Sequence, residues 1–190
     1  MSDPSDWAKA FALQADADFK TWECLQIQKA VPRCHGLMFL QMACETLCKA
    51  YRIASGTSPG NLQASHAHIT KNLPSIIRQE ISFRGQDVKK MRGVYQTAKH
   101  LAEEIEVLSP AVDRNGQRPD NCEYPWEDSI GLVHSPLDWT FHPSRMLTER
   151  GGPAFLKFVR LAIHRLLARV VGDGSSGTSQ SAAMGVAKCD

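Results

Sequence analysis

The sequence predicts an all-α, or mainly α, domain: an up-and-down bundle of about five helices with a small irregular or β-hairpin insert before the last one. Three observations predict it. Long stretches place apolar residues at steps of three and four, Gly and Pro clusters punctuate those stretches, and about forty residues before the final helix lose the period altogether.

Trp7, Phe11, Ala15, Phe19 and Trp22 describe a first amphipathic helix that runs through about Leu25, and Pro32 breaks the chain after it. A second helix is expected from about Cys34 to Ala54. Leu37, Leu40, Gln41, Cys44, Leu47, Cys48 and Tyr51 line one side, with Glu45 and Lys49 as an i,i+4 pair on the other. Gly56, Pro59 and Gly60 mark a loop. Ser65 reads as the N-cap of a third helix from His66 towards Arg78, with Pro74 bending or restarting it.

Arg84-Gly85-Gln86-Asp87 opens a fourth helix. Val88, Met91, Val94, Tyr95, Ala98, Leu101, Ile105 and Leu108 keep its period until Pro110 stops it. The last helix covers about Ala154 to Val171, with Phe155, Val159, Ala162, Ile163, Leu166 and Val170 as its apolar side. The insert spans about 109–150. Within it Asn115-Gly116 is a hairpin signal, and Ile130–His134 with Trp139–Phe141 reads as a second pair of short strands around Ser135-Pro136. Its aromatic residues argue that it packs. One domain over 1–171 and a flexible Gly/Ser/Thr tail over 172–190 complete the expectation.

A chain of 190 residues with 43% hydrophobic and 22% charged residues can bury one good core. A net charge of +2 neither demands nor excludes an anionic partner. The N-terminus carries Asp3 and Asp6 where a secretion signal would be basic. No run of about 18 apolar residues exists, since even Phe155–Val171 is interrupted by Lys157, Arg160, His164, Arg165 and Arg169. The expectation is a cytoplasmic protein with no membrane segment. Its six cysteines should then be free thiols. Cys44 and Cys48 fall on the apolar side of their helix, which favours packed thiols over a site shared with Cys34 and His35. No metal or other cofactor is expected, and P-loop, Gly-x-Gly-x-x-Gly, Gly-x-Ser-x-Gly and His-Glu-x-x-His signatures are missing.

Three pieces of the sequence resemble the HEPN superfamily of helical bundles over about residues 15–77. Ala17-Asp18-Phe19 with Trp22 and Leu25 is similar to the opening helix. The run Leu40 to Tyr51, followed by Gly56, is similar to the second helix, which in such proteins approaches Gln-x-Ala-x-Glu-Lys-x-x-Lys-Ala. Ser65-His66 is similar to a Thr/Ser-His start of the third. The resemblance implies a homodimer and a role in RNA cleavage or nucleotide binding, often in defence or toxin–antitoxin systems. Active members use Arg-x(4–6)-His, in which Arg stabilises phosphate charge and His moves the proton of the attacking hydroxyl. That spacing is missing here: none of the seven histidines follows an arginine by five to seven positions. Arg92 with His100 is one residue too far apart and Arg160 with His164 one too close. Catalytic roles for Arg160 and His164, or for Arg92 and His100, would require a displaced motif.

A non-catalytic module that engages RNA, a nucleotide or a protein partner is therefore the favoured expectation. A metal-independent endoribonuclease and a structural or regulatory interaction domain are the alternatives. The most distinctive run is Arg118 to Trp126. There Arg118, Asn121, Glu123, Tyr124 and Trp126 combine a cation, an amide, a carboxylate and two aromatics that could stack and hydrogen-bond a base; equally, Tyr124 and Trp126 could plug the end of the bundle. Lys157 with Arg160 and His164, and Lys89, Lys90, Arg92, Gln96 and Lys99, form two polar helix faces that read as phosphate-binding surfaces or as ordinary solvated ones. His66 is expected to help close the third helix's N-terminus.

Overall fold

The computed structural model describes residues 3–63, 65–87, 89–112, 118–149 and 151–172. These residues form seven helices and one two-stranded hairpin: α1 (Pro4–Ile27), α2 (Arg33–Ala54), α3 (Gly60–Gln63), α4 (Ile69–Phe83), α5 (Arg92–Glu106), β1 (Trp126–Glu127), β2 (Val133–His134), α6 (His142–Met146) and α7 (Gly152–Gly172). Five helices are substantial, and the hairpin precedes the last. No helix among the described residues is long and apolar enough to cross a membrane.

α1 starts where its chemistry dictates. Asp3 accepts from the Ser5 amide at 2.9 Å, and Pro4 stands where a missing N–H costs nothing. Its buried line is Ala8, Ala12, Ala15, Phe19 and Trp22. Small side chains at three successive turns let α2 pack closely along it. α2 is the central helix, with Leu40, Ala43, Cys44, Leu47, Cys48 and Ala50 wholly buried. Each fully buried leucine contributes about 1.5–3 kcal/mol relative to an exposed one.

The boundaries of α4 and α5 depart from expectation. α4 begins at Ile69, and neither Ser65 nor His66 caps it. Its N-terminus is instead closed by a carboxylate from α5: the Thr70 amide donates to Glu106 Oε1 at 3.0 Å, 36 residues away in sequence. The helix runs through Pro74 to Phe83. α5 opens at Arg92, not Arg84, because Gly85 takes a left-handed φ of 66° and Asp87 holds a separate turn. The Asp87 carboxylate accepts from the Lys89 amide, and its carbonyl accepts from Met91. α7 is tied to α4 by Arg165, which donates to the fully buried Glu80 at 3.0 Å and stacks on Phe83.

The strand pairing also differs. β1 pairs antiparallel with β2, Trp126 opposite His134 and Glu127 opposite Val133. Trp139–Phe141 is no strand. The Ser135 hydroxyl and carbonyl hold a turn around Pro136 that leads the chain away, so Trp139 packs edge-on against Trp126 and Phe141 is buried beneath them. The expected Asn115-Gly116 turn and the tail from 173 lie outside the described residues.

Candidate functional site

The insert is anchored by its own polar residues. Arg118 donates two bonds to Glu104, at 3.1 and 3.2 Å, and two to Asp120 at the same distances. Those carboxylates raise the Arg118 pKa further above its already high range. Burial alone would raise Glu104, but Arg118 and His142 outweigh it and hold its carboxyl below the usual range. Asn121 accepts from the Glu123 and Tyr124 amides through Oδ1 and donates to the Pro119 carbonyl through Nδ2. Cys122 bonds back to the Leu108 carbonyl through its amide, and its thiol lies 3.3 Å from the same oxygen. Trp126 is buried and stacks on His134. Of the five residues expected to bind a ligand, Arg118, Asn121 and Trp126 are engaged in holding the loop; Glu123 and Tyr124 face outward.

Each of the two expected Arg–His pairs lies along a single helix, α7 for Arg160 and His164 and α5 for Arg92 and His100. The Arg160 guanidinium meets Glu23 of α1 and lies over Phe19, while His164 stands exposed one turn further along α7. Arg92 and His100 are separated by about 12 Å of rise along α5, at 1.5 Å per residue. His100 faces Glu103 at 3.8 Å.

What does converge is a polar cluster on α2. Glu45 Oε1 lies 2.7 Å from Lys49 Nζ and 3.0 Å from His66 Nδ1, and Gln41 donates to Glu45 Oε2 at 2.9 Å. The Glu45 and Lys49 side chains are only 9% and 7% exposed, so the pair expected on the outer side of the helix is internal. The reason is positional: His66, in the chain before α4, lies on Glu45, and the Phe11 ring of α1 lies against the Lys49 ammonium. His68 is buried beside it, 3.5 Å from Arg52, and burial, then Lys49 and Arg52, push its pKa down. Burial, with Glu45 adding to it and His66 opposing, raises Glu123 at the rim. Glu45 lies in the Leu40–Tyr51 run and His66 in the Ser65-His66 pair that resemble HEPN helices, and that pattern is the sequence signal that points to the cluster.

Two adjoining hollows run beside it. One, of about 400 Å³, lies between Cys34, His35 and Met38 of α2 and Tyr124, Pro125 and Leu137 of the insert. The other, of about 340 Å³, lies between Met38, Met42, Glu45 and His66 and the segment Ser109–Ala111. Both include Met38 and Glu123. Cys44 and Cys48 are fully buried, and burial pushes the Cys44 thiol up to about 12. Among the described residues no group of three or more His, Cys, Asp or Glu side chains could hold a metal ion.

Beyond the hollows the insert exposes apolar surface. Among the described residues ten large hydrophobic side chains are exposed, and six belong to this segment: Tyr124, Ile130, Leu132, Val133, Leu137 and Trp139. The same stretch is acidic. From Pro119 to Ser144 there is no Lys or Arg, against Asp120, Glu123, Glu127, Asp128 and Asp138. The opposite sign gathers at the α4–α5 turn, where Arg84, Lys89, Lys90 and Arg92 are exposed, with Lys99 exposed further along α5. Comparison with known proteins matches the chain to no family model, no curated protein and no solved structure.

Proposed function

We propose that this chain is a non-catalytic interaction module, a helical bundle that docks a protein partner through the apolar, acidic face of its insert. The concentration of exposed Ile130, Leu132, Val133, Leu137, Trp139 and Tyr124 in one short segment carries the proposal. Monomeric proteins seldom leave such side chains clustered in water, and clusters rimmed by polar residues mark interaction sites. The acidic rim repels phosphate and so disfavours nucleic acid at this face. A HEPN-like bundle without the Arg–His spacing fits the same role, in a defence or toxin–antitoxin setting. The homodimer that the likeness implies would form elsewhere, since a two-fold seam through the insert would set its carboxylates against one another.

The test is co-purification from the native cell. The triple variant Ile130→Asp, Leu132→Asp, Val133→Asp should lose the partner while unfolding at the wild-type temperature; a variant that keeps the same partner overturns the proposal.

A second reading rests on the α4–α5 turn. Arg84, Lys89, Lys90, Arg92 and Lys99 form an exposed cationic surface, with Tyr95 under the Lys99 ammonium. RNA or another polyanion would bind there, with affinity falling by about 0.7 log units per log salt for each phosphate neutralised on a single strand. Binding that is flat in salt removes this reading.

A further inference from the structure

We propose that the trough between α2 and the insert receives an amphipathic segment of another protein, one that carries apolar side chains beside at least one Lys or Arg. The proposal rests on the interaction-module reading and names the chemistry of its partner.

The two hollows share Met38 and Glu123, so they are one trough rather than two isolated pits. Its α2 wall extends from Cys34 to Thr46, about 18 Å at 1.5 Å per residue, enough for three turns of a helix or a short extended strand. Met38 and Met42 supply unbranched, polarizable side chains that adapt to different apolar shapes. Tyr124 and Leu137, 61% and 59% exposed, stand on the opposite wall with little to cover them. An incoming apolar side chain would bury both.

Charge selects the occupant. Both hollows are lined by Glu123, an exposed carboxylate on which His66 acts as the opposing charge. The basic groups of the cluster, Lys49 and His66, are both already drawn to Glu45. A Lys or Arg side chain laid beside Glu123 would gain a charge-assisted contact in a partly desolvated place. A second copy of this chain would instead bring its own acidic insert against this one, and an RNA strand would bring phosphates.

A random-peptide phage library selected against the immobilised full chain tests this, with the selected peptides then synthesised and titrated by fluorescence anisotropy. Selected peptides should combine apolar residues with Lys or Arg. Their Kd should rise by about tenfold or more in Glu123→Lys and in Leu137→Asp, both exposed positions that leave the unfolding temperature unchanged, and should hold in Lys99→Glu. Peptides without a cation, peptides insensitive to both variants, a library that yields no binder, or sedimentation of the chain as a dimer that Leu137→Asp dissociates would each overturn the proposal. The insert-tip variant reports separately: if it keeps its cellular partner, the interaction-module reading fails whatever the peptides do. If it loses the partner while the peptides ignore the trough, only the trough assignment fails.

Discussion

His66 Nδ1 lies 3.0 Å from Glu45 Oε1, and the same oxygen lies 2.7 Å from Lys49 Nζ. One carboxylate thus ties the chain entering α4 to the middle of α2 and neutralises a cation that has almost no water. Such pairs are asymmetric in their energetics. Removing one member strands the other, whereas replacing both by apolar side chains is often neutral.

Glu45→Met should therefore destabilise the fold by about 3–5 kcal/mol, while Glu45→Met with Lys49→Met should recover most of that loss. Urea unfolding of the two variants checks it. Equal destabilisation in both would mean that His66 or Gln41, and not Lys49, depends on the carboxylate.

Asp18 offers the opposite sign. It is 3% exposed, Gln14 donates to its Oδ1 at 2.8 Å, and its Oδ2 has no hydrogen-bond partner among the described residues. Burial raises its pKa above the ordinary 3.8, which Gln14 only partly offsets. The folded state then binds this proton more tightly than the unfolded one, so the group loses stability as pH rises from 3.8 through the folded value. Asp18→Asn should stabilise the protein by about 1 kcal/mol at pH 7, with the advantage fading in acid. Thermal unfolding at two pH values measures this.

His68 titrates the other way. With its pKa held below the ordinary 6.5 by burial, Lys49 and Arg52, the unfolded chain takes up the proton first. The stability it contributes is full above 6.5 and is lost as pH falls from there towards the folded value. A plot of stability against pH should fall over that window in the wild type and flatten in His68→Gln. An unchanged slope in the variant would assign the effect to another group.

The long helices, the loop punctuation and the insert before the final helix were all legible, because a 3.6-residue period and Gly/Pro breaks are local signals. The start of α4 was not, since its cap is Glu106 from α5, and no local pattern announces a partner 36 residues away. A charge on a helix suggests an outer side, so Lys49 reads as solvent-facing; only tertiary contact sets its ammonium against the Phe11 ring of α1. Arg118 and Asn121 looked like ligand groups for a related reason. Their chemistry suits recognition and loop-holding equally, and geometry alone shows that Glu104, Asp120 and the loop amides engage them.

Ribonuclease activity is not expected. Arg160 is engaged by Glu23, and Arg92 and His100 stand apart on α5. A fluorogenic RNA incubated with the protein in EDTA should stay intact. Cleavage that disappears in His164→Ala or His100→Ala would contradict this.

The most direct measurement is photo-crosslinking in the native cell, with a photoreactive amino acid placed at Leu132 in one variant and at Lys99 in another. The interaction-module account predicts a discrete protein adduct from position 132 that Ile130→Asp with Val133→Asp abolishes. RNA adducts from position 132, or adducts from position 99 alone, would contradict it.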